Sequence, residues 1–415
     1  MMRHFPTNDR NHANIEAERL PRAVKPVEAP VQREVSILAE LLQASRLIRV
    51  HEARKLFRVD GSGTAIALLD TGLRATHRDF AGRVAAQRNF TTDNGGDPDD
   101  ASDGQGHGTN VAGIICAGGV RFGMAPAARI LPLKVLANDG SGSFESVAAA
   151  LQWIIDNHDA YGITAACLAF SDGANHQSDA PFANDAIGRR IRLLTEMDIA
   201  CCVAAGDDYY THGSTQGMSY PAILQETLSV GAVYDDDQRA LPHPSGAEAY
   251  ETRVDRITPF SQRLHEKVGS RCATDIFAPG APMASSGILN DIGTSIQNGT
   301  SQATPVVAGL VLLLQSLHSR STGALPTVAD LRRWLICGSV EILDADDEHD
   351  NVLHTGLAFR RIDALAALRF CAKELVGNAL RPGAGGVRRL APPGAAAATS
   401  ENHFARTIHA KEDLQ

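Results

Sequence analysis

The sequence predicts an α/β fold in which a parallel sheet is covered by helices on both faces. Two observations carry this expectation. Between about residue 57 and residue 375, strand-length apolar runs alternate with helix-length amphipathic ones. The strand-length runs are also apolar throughout rather than at every second residue, which fits burial on both sides.

The elements follow in chain order. Residues 33–57 place Ile37, Leu38, Leu41 and Leu42 on one helical face. TAIALLD (64–70) reads as a buried strand, TNVAGIICA (109–117) as a helix and ILPLKVL (130–136) as a strand. SFESVAAALQWIIDN (143–157) is a helix opened by a serine cap with Glu145 in its first turn. Residues 163–170 and 199–206 are strands on either side of a helix over 184–197. A short strand at 226–233 and a long apolar helix at 304–318 complete the series. The expected organisation is a flexible arm (1–32), a helical extension (33–56), one domain (57–375) and a disordered tail rich in Gly, Pro and Ala (376–415).

Composition narrows the function classes. Of 415 residues, 44% are hydrophobic and 21% charged, as in globular chains. The net charge of −9 argues against a basic nucleic-acid footprint. The most apolar stretch, VVAGLVLLL (306–314), falls short of the roughly 18 residues that suggest a membrane span. No apolar leader is visible at the N-terminus, so a cytoplasmic location is the default expectation. The seven cysteines lack zinc-ligand spacing and read as buried thiols of a reducing compartment.

Three segments carry chemistry. Asp70 ends a buried strand, where an α/β sheet presents its side chains to a ligand crevice. His107 sits where the Gly-rich turn GQGHG enters a helix. Ser301 starts a helix, two residues after Gly299 and four before Pro305, where free backbone N–H groups can face an anion. An Asp, a His and a Ser on separate elements can form a nucleophilic triad. Each also has a plainer reading. Asp-Thr-Gly is a common turn, and a serine at a helix start is usually a cap.

Taken together, LLDTGLRATHRDF, GHGTNVAG, GMAPAARILPLKVL, VAAGDD, SVGAV, DIFAPG and NGTSQATPVVAG resemble, in order, the motifs of the subtilases, the subtilisin-like serine peptidases. The resemblance spans roughly residues 57–375. It implies a three-layer subtilisin-like α/β fold. It also implies endopeptidase activity on protein or peptide substrates, without an obligatory catalytic metal or cofactor. Asp70, His107 and Ser301 match the family's triad positions. Gly140, Ser141 and Gly142 on one side, and Ser171, Asp172 and Gly173 on the other, match the strands that pair with an extended substrate. His77 fits a structural position.

Departures from the family pattern raise specific questions. The oxyanion hole, shared with Ser301, usually uses an asparagine amide where this chain has Asp207. An ionised carboxylate cannot donate a hydrogen bond. Asp207 as a protonated donor, as a latency device, and as the mark of a scaffold that binds peptides without turnover are three open readings. Displacement of the match onto Asp208 is a fourth. Asp172 either favours a basic substrate side chain or turns outward. Asp93, Asp97, Asp99, Asp100 and Asp103 form a solvated acidic loop or, as the lesser reading, a structural calcium site. The segment before the core packs on it, or takes an inhibitory or partner-docking role. Dedicated processing of one partner protein stands beside general proteolysis.

Overall fold

The computed structural model describes residues 23–33, 38–237, 239–269, 271–345 and 349–379. Nine strands form the main sheet. From one edge to the other they are Val340–Asp344, Leu357–Arg361, Ile276–Ala281, Leu228–Tyr234, Ala200–Ala204, Ala165–Leu168, Ala65–Asp70, Arg129–Lys134 and Arg88–Asn89. All neighbours run parallel except the Val340–Asp344 edge strand, which is antiparallel to Leu357–Arg361.

The unbroken apolar runs have the cause that the sequence suggested. Along Ala65–Asp70, Ile66 and Leu68 point into one core, while Ala65, Ala67 and Leu69 point into the other. Side chains of a strand alternate between faces, so a sheet buried on both sides needs apolar residues at every position. The helices Phe144–Tyr161 and Ala186–Glu196 cover one face. The other face packs on the helix Thr300–Thr322. That helix is 23 residues long and apolar enough to span a membrane, but its apolar window is entirely buried within the protein.

Several expectations are corrected. The single helix at 33–57 is two, Leu38–Leu47 and Val50–Phe57, with Arg49 between them in the left-handed region at φ 56°. The break has local causes: Arg49 bonds Asp363, and Ala364 N–H donates to the Ile48 carbonyl. Ile37 lies outside the described residues. Of the arm expected over 1–32, residues 23–32 are described, and Val31–Arg33 pairs antiparallel with Thr294–Gln297; residues 1–22 lie outside the described residues. The C-terminal helix Ala364–Ala379 runs into the expected tail, whose residues 380–415 also lie outside them. Cys337 is exposed, whereas the other six cysteines are buried as expected.

A buried ion pair ties the edge of the sheet to the segment before Ile276–Ala281. Arg263 Nε lies 2.9 Å from Asp344 Oδ2, with both side chains fully buried. The Arg263 guanidinium also sits 3.7 Å above the Tyr209 ring. Burial alone would raise the Asp344 pKa, but Arg263, His354 and Thr355 pull it down to about 2. Through this stacking the pair contacts Tyr209, which follows Asp207 and Asp208 in the chain.

Candidate active site

The site lies at the carboxyl ends of the central strands, the usual ligand crevice of an α/β sheet. Asp70 is the last residue of its strand and has no solvent exposure. His107 opens the helix His107–Cys116 and is also buried. Their contact is direct: His107 Nδ1 is 2.7 Å from Asp70 Oδ1. Glycine permits this approach. A Cβ at Gly108 would fall 2.3 Å from the Gly72 carbonyl oxygen and 3.2 Å from Asp70 Cβ.

Asp103, offered above as a calcium candidate, has another use here. Its Oδ1 accepts from the Gly106 and Gln105 N–H groups, and its Oδ2 accepts from the Thr109 N–H and hydroxyl. It therefore caps the helix that carries His107. Other carboxylates of the acidic loop also have protein partners. Asp93 accepts from Asn138 N–H, and Asp99 pairs with Arg88. Among the described residues no His, Cys, Asp and Glu cluster could hold a metal ion.

Two opposing effects act on the imidazole. Burial disfavours the charged form, but Asp70, with smaller contributions from Asp103 and Asp207, outweighs it and raises the His107 pKa above its ordinary 6.5.

Ser301 is the second residue of the helix Thr300–Thr322 and lines the same cleft as His107. Its hydroxyl donates to the Ala169 carbonyl at 2.9 Å. Its backbone N–H belongs to the first turn, which has no intrahelical acceptor, and the positive end of the helix dipole lies there.

Asp207 stands at this helix terminus. Its Oδ1 accepts from the Thr300 N–H and from the Thr300 hydroxyl, each at 2.8 Å. A Cβ at Gly299 would come within 2.8 Å of Oδ2, so a glycine keeps that oxygen uncrowded. An asparagine would keep the Oδ1 contacts and present an N–H₂ group where Oδ2 now sits. Asp207 meets Thr300, whereas Asp208 pairs with Lys25 at 2.6 Å.

Residues 24–27 of the chain itself lie between the two expected substrate-pairing segments. Val24 N–H donates to the Gly142 carbonyl at 3.2 Å, Lys25 N–H to Ser171 at 2.8 Å, and Val27 N–H to Gly140 at 3.0 Å. Gly140 adopts φ +82°, and any Cβ there would strike the Val27 carbonyl oxygen at 2.2 Å. The arm continues past the site, where Gln105 bonds the Val27 carbonyl and Gln297 the Glu28 carbonyl.

Asp172 does neither of the things expected of it. Its carboxylate turns inward, accepting from the Ala174 and Tyr220 N–H groups and bonding His176 at 3.0 Å. It braces the Ser171–Gly173 segment and does not face the cleft. His77 is buried and bonds the Gly293 carbonyl, as befits a structural residue. His212 bonds the Gly173 carbonyl at 3.1 Å.

Sequence reasoning missed Lys25 and His243 in this cleft, and the cleft-facing role of Asp208. His243 stacks on Phe260, and burial lowers its pKa despite nearby Asp207. No local pattern marks His243 or Lys25. The DGQGHGT run does contain a signal for Asp103, an acidic residue just before a helix start.

Residues 61–352 match the subtilase family model. The chain is 32% identical to an intracellular serine protease of Paenibacillus polymyxa over 63% of this chain and 69% of the relative. It is 29% identical to subtilisin-like protease 3 of Pseudogymnoascus destructans, over 71% of this chain and 62% of that protein. An extracellular serine proteinase of a Thermus species is 29% identical over 65% of this chain and 55% of its own length. The chain thus spans about two thirds of the first of these relatives and less of the others. Their names place them both inside and outside cells.

If Asp207 raises the His107 pKa, Asp207→Asn should shift the acid limb of the kcat/KM–pH profile to lower pH. A peptide-hydrolysis profile in which the limb stays fixed would contradict this coupling. The match over well above half its length shows that this chain belongs to the subtilase family of serine endopeptidases.

Proposed function

We propose that this chain hydrolyses peptide bonds through an acyl-enzyme on Ser301. His107 takes the Ser301 proton and returns it to the leaving amine. Asp70 orients the imidazole and stabilises its cation. The observation that most supports this reading is the buried 2.7 Å contact between Asp70 and His107, beside a serine at a helix start. In the described state Ser301 faces Ala169, so attack requires its hydroxyl to turn toward His107.

Ser301 N–H supplies one oxyanion donor in this reading. Asp207 supplies a second only while a proton resides on Oδ2, since Oδ1 already accepts twice. Loss of one such donor costs on the order of 10²–10³ in kcat in a subtilisin. The Thr300 contacts give Asp207 a further role as helix cap, which supplies a physical reason for a carboxylate here.

A second reading is favoured by the arm. Residues 24–27 use the backbone positions that a peptide substrate would use, so the described form is self-occupied. Pro26 and Pro30 lack N–H groups, which limits this pairing to a few bonds and leaves the arm displaceable. Self-occupation and triad chemistry are compatible: together they describe a latent peptidase.

One labelling experiment tests both readings. A fluorophosphonate should label the wild-type serine, and Ser301→Ala should abolish labelling, with peptide hydrolysis falling on the order of 10⁶-fold. Labelling that persists in Ser301→Ala would sink the assignment. Val27→Pro removes the N–H bonded to Gly140. At about 1 kcal/mol for a net hydrogen bond, it should speed labelling about fivefold. An unchanged rate would mean that the arm does not limit access.

A further inference from the structure

We propose that Asp208 is the floor of a substrate subsite that takes a lysine or arginine side chain. The proposal rests on the peptidase reading above and adds a substrate class to it. It comes from how the chain's own Lys25 is held.

Lys25 enters the cleft as a substrate residue would, its N–H bonded to the Ser171 carbonyl at 2.8 Å. Its methylenes then cross Gly173. A Cβ at that glycine would lie 3.1–3.5 Å from three Lys25 side-chain carbons, so the missing side chain leaves the channel. The ammonium ends 2.6 Å from Asp208 Oδ1.

Asp208 is 5% exposed. Thr211 Oγ1 supports its Oδ1 at 3.2 Å, but its Oδ2 is buried with no hydrogen-bond partner among the described residues. The charges nearby are mainly acidic: Asp207 is adjacent in the chain, and Glu28 lies close enough to feel both Lys25 and Asp207. When the arm leaves, Asp208 faces the vacated cleft without its cation. A basic substrate side chain restores the pair. A neutral one leaves the carboxylate unpaired and an acidic one adds repulsion, so the site discriminates by penalty as well as by attraction.

The Lys25 side chain is 43% exposed, which places this pair between a surface and a buried one. The expected preference is accordingly about 10-fold to 100-fold. Asp208 is a specificity residue in this account and takes no part in bond making.

The test uses the full chain carrying Lys25→Ala, which vacates the subsite. Peptidyl phosphonates identical except for a lysine, leucine or glutamate side chain next to phosphorus are compared by labelling rate. A small fluorophosphonate without a peptide serves as reference. Lysine ahead of leucine by about 10-fold or more, with glutamate last, supports the proposal. Asp208→Asn should then bring the lysine-to-leucine rate ratio close to one, each rate being taken relative to that variant's own reference labelling. Equal rates for lysine and leucine beside normal reference labelling would overturn the proposal and leave the peptidase reading intact. Absence of reference labelling would overturn the peptidase reading, and the subsite with it. The side-chain comparison needs no variant of Asp208, so it stands even if Asp208→Asn misfolds.

Discussion

A carboxylate with no solvent exposure needs hydrogen bonds to offset its burial, and Asp70 obtains one of its two from another element. It accepts from Thr71 N–H and from His107, each at 2.7 Å. Making the second bond requires the helix His107–Cys116 to begin at the strand end. Thr71 and Asp103 arrange that start. Thr71 Oγ1 accepts from Gly108 N–H and donates to Asp103, which caps the same helix. Lys134, also buried, bonds the Thr71 carbonyl and spans toward the acidic loop. One electrostatic constraint thus organises four segments: the central strand, its neighbour, the acidic loop and the helix bearing His107.

The second half of the site depends on the helix Thr300–Thr322. Its length is buried against the sheet, so its N-terminus can sit at the cleft. Ser301 is presented there by packing that has nothing to do with chemistry. Asp207 caps this terminus from the loop whose Tyr209 stacks with Arg263. The arm lies across both halves, bonded to Gly140 and Gly142 on one side and to Ser171 on the other. Among the described residues the arm's hydrogen bonds are few, and its Lys25–Asp208 salt bridge is partly exposed. That balance suits an occupant that leaves.

Much of this was legible in the sequence. Continuous apolar runs such as AIALLD fix a doubly covered sheet, and the helices that cover it follow from their spacing. Asp70, His107 and Ser301 stand out because each lies at a strand end or a helix start. Other features resisted reading for physical reasons. Ile276–Ala281 contains Pro279 and Gly280, which disguise a core strand. Val340–Asp344 is an edge strand with several exposed residues, so its pattern is weak. Asp172 and Asp208 are equally acidic in sequence, yet one turns inward to backbone donors and the other faces Lys25. That difference lies in long-range packing, as does the approach of an arm far in sequence from its partners.

The most direct measurement of the central constraint is the titration of His107 in the folded protein, followed by NMR of its ring. Burial lowers the pKa and the Asp70 carboxylate raises it. The account predicts a wild-type value above the ordinary 6.5, and a fall below 6.5 in folded Asp70→Asn, where burial remains without the carboxylate. A wild-type value at or below 6.5, or one unchanged by Asp70→Asn, would contradict the claim that this ion pair governs the site.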